Sequence, residues 1–217
     1  MVTDLLKDGP LSGRMSGDQR RERILDSAID LFSKHGFSGT TTREIAHASG
    51  VSEAMLFKHF ATKDELYKAI LDTKACQGEM QFLWAENTSL SKAIENKDDY
   101  TVFYNLALHA MNKHQSDVGF LRLLFYSALE EHELAQRFFL EFVTRVYDFI
   151  GSYIRQRQKE GVFREIDPKT AVRAFLGMMI HQSLNNLLWD KNRTLLNITN
   201  EEAAKNFAEI LLDGIRK

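Results

Sequence analysis

Between Phe37 and Lys63 the chain gathers side chains able to bind anions and polar edges: Thr41, Thr42, Arg43, Ser52, Glu53, Lys58, His59 and Lys63, with Ala54, Met55 and Phe57 among them. Hydroxyl, guanidinium, ammonium and imidazole groups in one short segment suit the oxygens of a phosphate backbone and the hydrogen-bonding edges of bases. Nothing elsewhere forms a comparable grouping for catalysis. The seven histidines are scattered. His132-Glu133 lacks the second histidine that a zinc-protease helix places four residues after the first, and His109 and His114, five apart, share a helical face poorly. No metal site is expected from them. There is no phosphate-binding glycine loop, and Ser183 near His181 reads as helix packing rather than as nucleophile and base.

Two short helices are needed to hold the polar segment. Thr41 and Glu44 form a capping box, the hydroxyl accepting from the Glu44 backbone and the carboxylate reaching back to Thr41, so a helix starts at Thr42. Gly50 supplies the left-handed position that ends this helix and turns the chain. Ser52 caps a second helix, whose Leu56 and Phe60 sit four apart and pack inward with Ile45, Ala46 and Val51. Its other face carries Glu53, Ala54, Met55, Phe57, Lys58 and His59, with Phe57 expected to be half in the core. A helix presented this way lies in the major groove with its first residues at the base edges. Thr62 and Glu65 repeat the capping box before the next helix, which has Lys63 in its first turn. A lysine there opposes the helix macrodipole by ~0.3–1 kcal/mol, which points to a nearby anion, with DNA phosphate as the candidate. Upstream, the stretch from Gln19 to Lys34 is an amphipathic helix with Ile24, Ala28, Leu31 and Phe32 on its inner side.

The segment from about Arg20 to Lys74 resembles the DNA-binding domain of the tetracycline-repressor (TetR) family of transcription regulators. Phe37 after Gly36, the Thr40-Thr41 pair, Ile45-Ala46, Gly50-Val51-Ser52, Leu56-Phe57, Phe60, Lys63 and Leu66 carry the resemblance. Ala54 and His59 depart from it, since family members often have Gly and Tyr there. By position, the resemblance implies that Thr41, Thr42, Lys58, His59 and Lys63 hold phosphates while Arg43, Ser52, Glu53, Ala54, Met55 and Phe57 face bases. It implies an all-α chain with a flexible arm over 1–18, a helix-turn-helix domain over 19–64 and a helical ligand-binding and dimerisation domain over 65–217. The function implied is a homodimeric, sequence-specific regulator, a repressor released from a palindromic operator by a small effector. Two readings compete with it: a DNA-binding structural protein without regulatory function, and an all-helical enzyme or small-molecule carrier.

Composition agrees with that architecture. A chain of 217 residues, 44% of them hydrophobic, can bury a substantial core. Net charge is only −2, with nine basic against eight acidic residues through Lys63 and nineteen against twenty-two after it. Affinity for a polyanion must therefore come from where charges sit rather than from bulk attraction. The N-terminus lacks a signal pattern and no apolar run approaches the ~20 residues a membrane span needs, so a cytoplasmic protein is expected. Cys76 has no partner for an internal disulfide and reads as a small buried hydrophobe.

With only Pro10 and Pro168 and no sustained strand alternation, the remainder should be helical. One helix runs from about Leu66 toward Trp84, and others occupy 90–96, 99–113, 117–130, 134–159, 168–189 and 200–212. Asp167 caps the helix that opens with Pro168, and Thr199 with Glu202 boxes the last one. Along the helix after Pro168, Ala171, Ala174, Gly177, His181, Leu184 and Leu188 line one face, while Val172, Phe175, Met179, Gln182 and Asn186 line an adjacent one. Two apolar faces need two neighbours. The first face, with Ala203, Phe207, Ile210 and Leu211 of the last helix, is therefore expected at a dimer interface, where Ala174 and Gly177 permit close approach. Large aromatic groups crowd the middle of the chain. The expected effector wall is Phe103, Phe125, Phe142, Phe175, Met179 and Gln182, and its scarcity of charge suggests a neutral, hydrophobic or aromatic ligand. No cofactor is expected.

Overall fold

The computed structural model describes residues 15–74 and 88–217. Among the described residues no strand forms, and a single antiparallel bridge pairs Phe163 with Arg216. The N-terminal unit comprises α1 (Gly17–His35), α2 (Thr42–Ser49), α3 (Glu53–His59) and α4 (Lys63–Leu71). The remainder comprises α5 (Ser89–Glu95), α6 (Asp99–Ser116), α7 (Val118–Leu129), α8 (Glu133–Phe138), α9 (Thr144–Lys159), α10 (Pro168–Leu184) and α11 (Asn200–Ile215). A π turn at Phe139–Val143 joins α8 to α9, so the uniform helix expected over 134–159 is interrupted. A second, Asn185–Trp189, prolongs α10. The helix expected to reach Trp84 is described as far as Lys74; the rest of that expectation, with Cys76, Phe82 and Trp84, lies outside the described residues.

Local hydrogen bonding sets these boundaries. Thr41 Oγ1 accepts from the Glu44 N–H at 3.2 Å, and the Glu44 carboxylate accepts from the Thr41 N–H at 2.8 Å. Thr199 and Glu202 exchange the same pair at 3.1 and 2.8 Å. At α4 only half of the expected box closes: Thr62 Oγ1 caps Glu65 at 3.0 Å, but the Glu65 carboxylate accepts from Ala61 N–H at 2.7 Å instead. Ser16 and Gln19 form a capping box that starts α1 at Gly17, two residues before the expected Gln19. Gly50, at φ 68° and ψ 30°, adopts the left-handed conformation that ends α2.

Two apolar cores result. In the first, Ile24, Ala28, Phe32, Ile45, Leu56, Leu66, Tyr67 and Ile70 are sealed together, but Phe120 and Leu123 of α7 and Leu134 of α8 belong to the same cluster. The N-terminal unit is thus completed by residues far along the chain. In the second, α6, α9, α10 and α11 enclose Phe103, Ile154, Val172, Phe175, Ala204 and Ala208. Ala171, Ala203 and Leu211, expected at a dimer interface, are buried in this second core, because α10 and α11 turn those residues toward their own protomer. Arg157 of α9 fastens this core to the start of α6, donating to the buried Asp99 carboxylate from Nε at 2.7 Å and Nη2 at 3.1 Å. Tyr153 adds a third donor to Asp99 at 2.6 Å, which satisfies a carboxylate otherwise costly to bury.

Candidate nucleic-acid interface and the cavity behind it

On α3 the side chains of Glu53, Ala54, Phe57 and Lys58 are exposed, while Leu56 is fully buried. The expected division between Met55 and Phe57 is reversed. Phe57 is 43% exposed, whereas Met55 is half-buried against α1, with Arg20 Nη1 at 4.0 Å from its sulfur. Leu56 and Phe60 fill the inner face, and α1 covers residue 55 rather than 57. His59 is half-buried beside Phe60. Arg43 on α2 is exposed. Thr42 Oγ1 donates to the Glu53 carboxylate at 2.6 Å, which ties the start of α2 to the start of α3. The Thr41 hydroxyl donates to Glu44 at 2.8 Å. Ser52 Oγ accepts from Met55 N–H at 3.2 Å, leaving its own O–H to donate outward.

Lys63 behaves differently from the reading of its sequence position. Its half-buried ammonium donates to the backbone oxygens of Phe37 at 2.6 Å and Thr40 at 2.8 Å, and lies 4.1 Å from the centroid of the Phe37 ring. Burial lowers its pKa. Two carbonyl dipoles and an aromatic face thus answer the macrodipole objection without an external anion, and one of three N–H donors remains. Lys63 braces the turn that delivers Thr41 and Thr42 to the surface.

Three arginines of α1 went unremarked in the sequence, where they read as charges beside an apolar stripe. Arg20 covers Met55, the Arg21 guanidinium sits 5.0 Å from the Phe60 ring centroid, and Arg23 reaches over Gly50. They bring positive charge to the edges of α3 from a neighbouring helix.

Behind this unit, α6, α7, α8 with its π turn, α9 and α10 surround a cavity of two adjoining lobes, about 160 and 250 Å3. Both lobes are lined by Lys113, His114, Phe138, Phe142, Val143 and Ile180. Of the expected wall, Phe142 lines both lobes, Met179 the first and Phe125 the second. Phe103 and Phe175 do not line it. They are fully buried in the second core, edge to face at 5.3 Å, because the residues of α6 and α10 that meet most closely fill each other's space. Gln182 is also buried and lines neither lobe.

The polar groups of the cavity were not anticipated. Among the described residues they are His109, Lys113 and His114 of α6 and Asp117 just after it; the spacing of four between His109 and Lys113 was the available signal that they share a face. His114 Nδ1 lies 2.9 Å from Ser183 Oγ, which gives Ser183 a partner on α6 rather than His181. Burial lowers the His114 pKa to about 4, with His109 adding a smaller repulsion. His109 is lowered as well, by burial and then by Lys113.

The cavity shares walls with the N-terminal unit. Phe138 and Phe142, stacked at 5.0 Å, line the cavity and also pack against the first core, and Phe120 meets Phe138 edge on at 6.0 Å. At the α7–α8 corner the Glu130 carboxylate accepts from Phe37 N–H at 2.9 Å, and the His132 ring lies 4.4 Å from Phe37 and 4.8 Å from Tyr67. Gly36 has φ 72°, and a Cβ there would collide with the Glu130 carboxylate, so both backbone geometry and space require glycine. Further ion pairs link α4 and the residues just after it to the cavity helices: Lys68 to Glu133 at 2.8 Å, Asp72 to Arg137 at 2.7 Å, and Lys74 to Asp117 at 2.9 Å.

Residues 24–70 match the model for bacterial regulatory proteins of the tetR family. Over that segment the chain is similar to the family. It is 26% identical over 164 residues to the helix-turn-helix transcriptional regulator SrpR of Pseudomonas putida, a match covering 75% of this chain and 72% of that one. Over 50 residues it is 48% identical to the helix-turn-helix regulator YvkB of Bacillus subtilis, covering 23% of this chain and 26% of that one. The crystal structure of NalD, the secondary repressor of the MexAB-OprM multidrug efflux pump in Pseudomonas aeruginosa, covers 93% of this chain and 99% of its own with a TM-score of 0.67. At 20% identity that likeness concerns the fold. The proteins that it matches are helix-turn-helix transcriptional regulators, and the chain reads as a DNA-binding regulator of that kind. No helix among its described residues is long and apolar enough to cross a membrane.

The positions of Lys58, Lys63 and His114 generate three predictions. Lys58→Ala should weaken DNA binding evenly across sequences and reduce the salt slope by about 1 without altering stability. Lys63→Ala should also destabilise the fold by about 1–2 kcal/mol, because two carbonyls lose their donor; unchanged urea unfolding would refute the bracing role. His114 is held neutral in the folded state, so between its ordinary pKa of about 6.5 and about 4 the unfolded chain binds more protons. Stability is then complete above about 6.5 and declines as pH falls toward about 4, and His114→Gln should flatten most of that decline in urea titrations.

Proposed function

We propose that the chain is a homodimeric repressor of a palindromic operator, released when a small, mainly apolar effector occupies the cavity behind the N-terminal unit. The observation that carries this reading is the double role of Phe138 and Phe142, which are cavity wall and neighbours of the first core at once. A ligand that moves them acts directly on the packing that orients α2 and α3. An effector binding more tightly to a conformer with displaced recognition helices lowers operator affinity by its differential affinity for the two states. Arg43, Ser52, Glu53, Ala54, Met55 and Phe57 are the proposed base-facing set, and Thr41, Thr42, Lys58 and His59 the proposed phosphate contacts, with Lys63 left one donor for the same purpose.

Pairing through α10 and α11 is supported by the surface those helices leave uncovered. Ala174, Gly177 and His181 are exposed, Leu184, Leu188 and Phe207 are half-buried, and Ile210 is 58% exposed. The space above Gly177 and Gly214 is open, so a second copy can approach the backbone closely. Two copies would set their α3 helices on half-sites about one DNA turn, ~34 Å, apart. A regulator of this kind acts in the cytoplasm.

The test is footprinting of the intergenic DNA upstream of its own gene, with random-site selection if no protection is found. A protected inverted repeat bound by two protomers is expected. Random-site selection that returns no preferred sequence would overturn the regulator reading.

A further inference from the structure

The cavity is apolar but not electrically neutral. Among the described residues Lys34, Lys68, Lys74 and Lys97 pair with Asp30, Glu133, Asp117 and Glu160, and Lys63 is held by backbone carbonyls. Lys113, which lines both lobes, has no such partner. The acid in the lining, Asp117, is paired with Lys74 at 2.9 Å and also caps α7 through Phe120 N–H. Its charge is therefore answered from α4. The two imidazoles of the lining, His109 and His114, are neutral near pH 7 because burial disfavours their protonated forms. What remains is one uncompensated ammonium-bearing side chain where two apolar lobes adjoin.

We propose that the effector is an amphipathic anion, an apolar body carrying one carboxylate, seated with the carboxylate on Lys113 and the body against Phe138, Phe142, Val143 and Ile180. This rests on the cavity being the effector site, and it replaces the neutral ligand expected from the sequence. A half-buried ammonium without a counter-ion gains a charge-assisted hydrogen bond from a carboxylate. A neutral ligand of the same shape would desolvate the lysine without replacing its water, and a cation would be repelled. The aromatic and branched lining accepts hydrocarbon but offers a second charge no partner.

The experiment is isothermal titration of the full-length protein, near neutral pH, with decanoate, decanol and decylammonium, repeated on Lys113→Met and Lys113→Arg. Decanoate should bind roughly tenfold or more tightly than decanol, with decylammonium weakest. Lys113→Met should equalise acid and alcohol without weakening decanol, and Lys113→Arg should keep the preference. Equal or tighter binding of decanol, a preference for decylammonium, a preference that survives Lys113→Met, or no binding of any of the three to folded protein would each overturn the inference. Operator binding by the same ligand-free samples separates the two readings. If it persists while the carboxylate preference fails, only the effector chemistry is wrong; if sequence-specific binding itself is lacking, the regulator reading falls.

Discussion

The turn from Gly36 to Thr40 has to hold non-helical backbone in a fixed shape, and its polar groups are satisfied from two directions. From α4, Lys63 donates to the carbonyls of Phe37 and Thr40; from the end of α7, the Glu130 carboxylate receives the Phe37 N–H. Buried or half-buried backbone groups left without partners would each be costly, so the turn keeps its shape only while both partners are in place. The Phe37 ring, packed among Phe32, Tyr67 and His132, adds the apolar side of the same clamp. Thr41 follows at once and opens α2, and α2 in turn is tied to α3 by Thr42 and Glu53. The position of the recognition helix is therefore referred back to α4 and α7.

That dependence gives the molecule a physical route between its two ends. The first core contains residues of α7 and α8, and the aromatic pair Phe138 and Phe142 belongs at once to that core's periphery and to the cavity. Close-packed interiors transmit displacement because they have little free volume to absorb it. The exposed ion pairs between α4 and α8 add small increments individually, but their geometry fixes α4 against the helix whose other side meets the cavity. The π turn that follows α8 sits at the same wall, a position where helical hydrogen bonding is already locally rearranged.

Local chemistry was legible in the sequence, and long-range chemistry was not. Thr41 with Glu44, Gly50, Ser52, Asp167-Pro168 and Thr199 with Glu202 announce helix ends because the atoms that satisfy each terminus lie within four residues of it. The fold class follows from these signals and from apolar periodicity, and the tetR-family segment is legible for the same reason. The backbone partners of Lys63, Phe37 and Thr40, are more than twenty residues away, so in the sequence the position looks like an unpaired cation. Met55 and Phe57 exchanged roles because α1, invisible to a periodicity argument, covers one and not the other. In the cavity, Phe103 and Phe175 were indistinguishable by type from Phe125 and Phe142; only the packing of α6 on α10 decides which are core. Lys113 and His114 do not read as cavity lining in the sequence, since a polar residue on a long helix normally faces solvent, and the lobes they line are formed by five separate segments.

Hydrogen exchange in a Glu130→Ala variant tests most directly whether the distal helices hold the DNA-reading unit in place. Exchange over residues 36–44 should accelerate relative to the wild type, while protection in α6, α10 and α11 stays unchanged. Unaltered protection over 36–44 would contradict the dependence of the turn on α7, and with it the route from cavity to recognition helix.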